Sequence, residues 1–155
     1  MQNLLLTLAL ATSLAHAQLA TKKALTLDLA KKIADAAHAE AVANQWTMVV
    51  SIVDDGGNII LLQKADGTQI GSIDVALEKA RSAVKFKRST KVFEDAVAGG
   101  RTAILKLPGA LPVEGGIPLT IDGVVLGAIG VSGATSAQDG QCAAVGVKVF
   151  EKLAK

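Results

Sequence analysis

Tyrosine is absent from the 155 residues, and there are only one tryptophan, three phenylalanines, two histidines and one cysteine. Each scarcity excludes something. The lone Cys142 has no partner for an intrachain disulfide, so the fold is not stapled covalently. No His/Cys set has zinc spacing, and neither an H-E-x-x-H nor a G-x-S-x-G word occurs, which removes the common metallohydrolase and serine-hydrolase signatures. The formal charge is only +2 and the basic residues are dispersed, apart from Lys85-Phe86-Lys87-Arg88 with Lys91, so there is no nucleic-acid footprint. With aromatics at 3%, the core has to come from Ala, Val, Leu and Ile, side chains that suit close packing of helices on a sheet.

An apolar run over 4–14, broken only by Thr7, Thr12 and Ser13, leads into Ala15-His16-Ala17. That is the layout of a secretory signal peptide, although its start carries no Lys or Arg. A membrane anchor needs about 20 apolar residues, more than this run offers. The expectation is therefore export, cleavage after Ala17, a periplasmic location without stable membrane insertion, and one domain spanning residues 18–155.

Residues 25–44 hold no Gly or Pro, and Leu29, Ile33, Ala36, Ala37 and Ala41 recur at helical spacing behind a Thr26 N-cap. The β-branched run 48–53, the turn Asp54-Asp55-Gly56-Gly57-Asn58 and the run 59–64 predict a hairpin. Ser72 is placed to cap a helix over 73–87, and 91–98 predicts a short helix ending at Gly99-Gly100. Pro108-Gly109 breaks a loop region with a short element over 103–107, and 119–121 with 124–131 predict a second hairpin about Asp122-Gly123. Ser136 and Asp139 have capping-box spacing ahead of a last helix whose stripe is Cys142, Val145, Val149 and Leu153.

The most specific passage is 114–139, where Gly115, Gly116, Gly123, Gly127, Gly130 and Gly133 mark positive φ or close backbone approach. Its words Gly115-Gly116-Ile117-Pro118-Leu119 and Gly127-Ala128-Ile129-Gly130-Val131-Ser132-Gly133 join Ser51-Ile52-Val53-Asp54-Asp55-Gly56-Gly57-Asn58, Leu62-Gln63-Lys64-Ala65-Asp66-Gly67 and Lys79-Ala80-Arg81. Together they resemble the GlcG/HbpS family of heme-binding proteins, and the PduO C-terminal domain, from about residue 25 to the end. The resemblance implies an α/β chain of the α+β type, a profilin-like single domain with an antiparallel sheet flanked by helices, assembled as a homo-oligomer. It implies heme as cofactor and an exported heme-binding or heme-responsive role. Lys64 stands where an arginine is usual and Ser89 where a proline is usual; the first change removes a bidentate carboxylate fork.

Heme iron needs an axial ligand, and once residues 1–17 are removed the inventory is His38, Met48 and Cys142. Met48 heads a strand and reads as core, while His38 borders the wet face of the first helix and Cys142 sits on an apolar stripe. His38 or Cys142 is thus the metal-ligand candidate, with one ligand per chain or one shared across an oligomer interface. Glu40 projects from an Ala-rich stripe and requires a partner, for which Lys79 and Arg81 are candidates; it could equally face a ligand. Glu114 beside Gly115-Gly116 is the stronger site acid. Ser132, Gly133 and Asp139 at the start of the last helix present backbone N–H groups suited to a carboxylate or phosphate. The expected pocket lies between the glycine-rich hairpin, the N-terminus of the last helix and the first two helices. Two further readings stay open: a binding protein for a small anionic metabolite, and an enzyme acting on such a metabolite or on a tetrapyrrole, for which no catalytic constellation is evident.

Overall fold

The computed structural model describes residues 20–154; the expected signal peptide lies outside the described residues. Helix α1 (Leu27–Ala43) starts where Thr26 Oγ1 accepts the N–H of Leu29 at 3.2 Å, a cap whose loss typically costs about 0.5–2 kcal/mol. Its apolar stripe, Ala30, Ile33, Ala34, Ala37 and Ala41, is fully buried. Strands β1 (Val49–Asp54) and β2 (Ile59–Lys64) form the first hairpin. The Asp54 carboxylate closes its turn by accepting the N–H groups of Gly56 at 2.9 Å and Asn58 at 2.8 Å, and the Asn58 bond leads in holding its pKa down.

Helix α2 (Ser72–Phe86) begins one residue earlier than expected, and its N-cap is Gly71, without a side-chain bond. Ser72 is therefore inside the helix; its Oγ accepts from Gln69 Nε2 at 3.1 Å and lies 3.3 Å from Ser132 Oγ. Helix α3 (Lys91–Ala98) follows as expected, and a 3-10 turn over Thr102–Lys106 fills the loop region. Strands β3 (Gly116–Ile121) and β4 (Val124–Ser132) are joined by Asp122-Gly123, whose φ values of 51° and 76° are those of a tight primed turn. Helix α4 (Ser136–Leu153) is capped by Thr135, not Ser136, and its capping partner is Gln138, not Asp139. The sequence allows two overlapping boxes, and the one chosen leaves the Asp139 side chain free to turn inward.

The four strands pair antiparallel in the order β2-β1-β4-β3, with helices on both faces, so the α+β architecture is the one the sequence implied. One face carries α1 and α4, packed on Val50, Ile52, Ile129 and Val131. The other carries α2, whose Ala80 and Ala83 sit on Val53 and Ala128. Such small residues bring α2 so close that a Cβ at Gly130 would collide with the backbone of Ala76 and Ala80.

Candidate functional site

The glycine-rich passage and α4 meet α2 at a buried ion pair. Lys79, in the middle of α2, is 1% exposed, and its Nζ donates to Asp139 Oδ2 at 2.6 Å and to the carbonyl of Val131 at 3.0 Å. Asp139 Oδ1 accepts the N–H of Ala134 at 3.1 Å, so both carboxylate oxygens are engaged. Burial pushes the Asp139 carboxyl above its usual range, opposed by Lys79 and by the backbone donors of Ala134 and Gly133. The N–H groups expected to receive an external anion are thus turned toward a carboxylate of the chain itself.

The glycines around this pair are spaces filled from within. Gly115 has φ of +126°, and a Cβ there would lie 2.7 Å from the Val131 carbonyl oxygen and 2.9 Å from Lys79 Nζ. A Cβ on Gly116 would strike the Lys79 carbonyl and Thr90, while Thr90 N–H donates to Gly116 O at 2.9 Å and Gly116 N–H donates to Thr90 Oγ1 at 2.9 Å. Gly133 would strike Thr47 O. The structure brings Lys79, Gly115, Gly116, Ser132, Gly133 and Asp139 together, and it packs them as a joint.

Glu114 stands at the rim of that joint, half-buried, its carboxylate lying against Gly140. Its N–H donates to Glu94, whose other oxygen accepts from Ser136 Oγ at 2.9 Å, so α3, the loop and α4 are tied through one carboxylate. Desolvation raises the Glu114 pKa, with Glu94 and Asp95 adding to the rise and Lys91 opposing it. Glu40 does not join this group. Its Oε1 accepts from Gln141 Nε2 at 2.7 Å and Asn44 Nδ2 at 3.2 Å, and neither expected cation reaches it, because Lys79 holds Asp139 and Arg81 holds Glu78. At its position one turn from the end of α1, half-buried rather than enclosed, neutral amide donors are enough.

The metal-ligand candidates separate clearly. Cys142 and Met48 are both 0% exposed, and burial pushes the Cys142 thiol up to about 11, far from a ligating thiolate. His38 instead borders an open cleft of about 330 Å³ between α1 and β2, lined also by Asp35, Gln63, Lys64, Ala65 and Asp66. Its Nδ1 is buried and has no hydrogen-bond partner, which typically costs about 1–3 kcal/mol. Gln63 Nε2 donates to Asp35 Oδ1 at 3.3 Å across the cleft. This cleft, and not the glycine joint, presents an imidazole to the outside. Sequence reasoning named His38 but did not associate it with Gln63, Lys64 and Asp66, because that association depends on how α1 crosses the sheet.

Other clefts lie at the opposite end, about 480 Å³ beside Lys23, Asp122 and Glu151 and about 320 Å³ beside Lys22 and Asp55. Among the described residues no group of three His, Cys, Asp or Glu could hold a metal ion, and no helix is long and apolar enough to cross a membrane.

Comparison with known proteins agrees with this geometry. GlcG of Escherichia coli is 38% identical over 112 residues, covering 72% of this chain and 84% of GlcG. A double mutant of Streptomyces reticuli HbpS superposes with a TM-score of 0.79 at 34% identity, over 91% of this chain and 97% of that one. A PduOC:heme complex superposes with a TM-score of 0.75 at 29% identity, over 82% and 95%. Residues 25–148 match the family model described as haem degrading protein HbpS-like, and the chain belongs to that family.

Proposed function

We propose that this protein binds heme, and that His38 supplies the side-chain ligand to its iron. The observation that carries the reading is the half-buried imidazole of His38, the only histidine among the described residues, at the wall of an open cleft; its Nδ1 is enclosed, which leaves Nε2 as the nitrogen to meet iron. Among the described residues the thiol and thioether donors, Cys142 and Met48, are enclosed, and tyrosine is absent from the sequence. Membership of the HbpS-like family and the likeness to a protein crystallised with heme support it. Bound heme would bring a redox-active iron and a strong Soret absorption. Lys64, exposed and outside any described ion pair, is placed to meet a propionate as a point charge in place of the fork an arginine would offer. Titration of the purified protein with hemin should give a saturable Soret shift that His38→Ala abolishes and Cys142→Ser leaves intact. Absence of a shift in the parent protein would remove the reading.

Loss of the Soret band with time under a reductant would add turnover of the tetrapyrrole to binding. The small-anion reading keeps one candidate contact, the half-buried Glu114, but the donors of the α4 N-terminus are already turned to Asp139. A thermal-shift screen of small carboxylates, repeated with Glu114→Gln, tests it. Export completes the proposal: a periplasmic extract should contain the chain beginning at Gln18.

A further inference from the structure

The charge of this chain is segregated. Residues 85–110 hold Lys85, Lys87, Arg88, Lys91, Arg101 and Lys106 against only Glu94 and Asp95, a balance of +4, whereas the whole chain carries +2, so the remainder is net acidic. Both acids of that stretch are already engaged. Glu94 accepts from the N–H of Glu114 and from Ser136 Oγ, and Asp95 Oδ1 accepts from Lys91 Nζ at 2.7 Å. Glu114, the next acid in the chain, lies against Gly140 of α4. Lys85, Lys87, Arg88, Arg101 and Lys106 are all exposed, and none of them belongs to an ion pair among the described residues.

Tertiary contacts gather these cations around one protruding segment. Phe86 at the end of α2 meets Phe93 of α3 edge-on at 5.1 Å, and the Arg88 guanidinium lies over the same ring at 5.9 Å while its Nε donates to Phe86 O at 3.1 Å. Helix α3 packs on the 3-10 turn, and the chain then returns past α2, where Lys85 lies against Gly109 and Leu111 N–H donates to Ser82 Oγ at 3.0 Å. Of residues 99–109 only Ile104 is buried, and it anchors the segment. Leu105 is 59% and Leu107 40% exposed on either side of Lys106, with Ala103 and Pro108 exposed beside them. The hollow between Arg101, Ala103, Ile104 and Leu107, of about 210 Å³, is below the usual size of a ligand pocket. A folded partner would need a recess to match such a convex apolar tip, whereas lipid yields around it. Leucines can then enter the acyl boundary while Lys and Arg keep their charged ends at headgroup level.

We propose that segment 99–109, flanked by Lys85, Lys87 and Arg88, seats this protein peripherally on an anionic lipid surface, with Leu105 and Leu107 entering the bilayer boundary. Anionic headgroups supply the counter-charge that the chain withholds from its five cations. Two leucines bury too little to hold the protein alone, and the cations alone are screened by salt, so both parts are required. Co-sedimentation of the purified protein with vesicles tests this. Vesicles of equal parts phosphatidylglycerol and phosphatidylcholine should carry the protein down, those of phosphatidylcholine alone should not, and raising salt from about 0.1 M to about 0.5 M should release it. Leu105→Gln with Leu107→Gln should weaken binding about tenfold or more at unchanged charge. Arg101→Gln with Lys106→Gln should do the same. Lys31→Gln with Lys32→Gln removes equal charge from exposed positions on α1, across the sheet from α2, and should leave binding within about twofold of the wild type. All six changes fall at exposed positions, and matching thermal melts confirm that the variants fold. A wild type that stays in solution with the phosphatidylglycerol vesicles overturns the proposal, and so does an equal loss in the Lys31 and Lys32 variant, which would reduce the effect to net charge. Binding that survives loss of both leucines also overturns it, since a purely Coulombic surface fits an acidic protein as well as a bilayer.

Discussion

The glycine joint and the His38 cleft lie toward the same end of the sheet, with Ser132 pairing Val49 from one side and Lys64 from the other, yet they handle their polar groups in opposite ways. At the joint, Lys79 and Asp139 are enclosed and each has a partner, with backbone donors and acceptors filling the remaining valences. At the cleft, His38 Nδ1 has none, and Lys64 points into an open space. Buried groups that are satisfied define a rigid core, while a half-buried imidazole and an exposed ammonium lining an open cleft stay within reach of an outside ligand. The most distinctive word of the sequence therefore marks architecture, and in the heme reading proposed above a residue with no distinctive neighbours in sequence marks the ligand.

That contrast can be broken from either side. Lys79→Met should be the most damaging single change, because it strands the Asp139 carboxylate in the interior at a cost of about 3–5 kcal/mol, and Lys79→Met with Asp139→Asn should recover part of it. Chemical denaturation of the three variants checks this; an unharmed Lys79→Met would show that the pair is not structural. Gly130→Ala comes next at about 1–3 kcal/mol or more, since its Cβ meets helix backbone and not a movable side chain. His38→Ala should change stability by less than about 1 kcal/mol while eliminating the Soret shift. A large loss of stability there would make the cleft a second structural joint.

The smallest expected effect is a pH signature at Glu114. Its folded-state pKa is raised, mainly by desolvation, so the folded chain binds the proton more tightly than the unfolded one. Stability from this group is therefore gained as pH falls through the raised value toward the ordinary one, and is absent at neutral pH. Glu114→Gln should consequently be slightly more stable than the parent at pH 7 and lose that advantage below pH of about 4. Thermal melts at both pH values decide it, and a constant difference would assign the effect to packing on Gly140.

Much of the fold was legible from local pattern. The Ala-rich stripe of α1, both hairpins with their Asp-Gly-type turns and the short α3 follow from periodicity and turn chemistry, and the glycine words carried the family. What escaped needed tertiary information. Thr135 rather than Ser136 caps α4 because two boxes compete and only packing against α2 favours an inward Asp139. Glu40 found Gln141, a residue 101 positions away, in place of a cation. The glycines at 115, 116, 130 and 133 read as bare walls, and sequence alone cannot say whether a ligand or another backbone occupies the bared side.

Helices α1 and α4, the first and last elements of the chain, pack on each other over the same face of the sheet. The Ala30, Ile33, Ala34, Ala37 and Ala41 stripe thus stays partly uncovered until α4 is in place, and β1 waits for β4 as its second neighbour. Closing the core therefore needs contacts between the two ends of the domain, the kind that forms late because it joins segments far apart in sequence. A chain cut ahead of α4 should accordingly leave the α1 stripe exposed and fail to fold cooperatively.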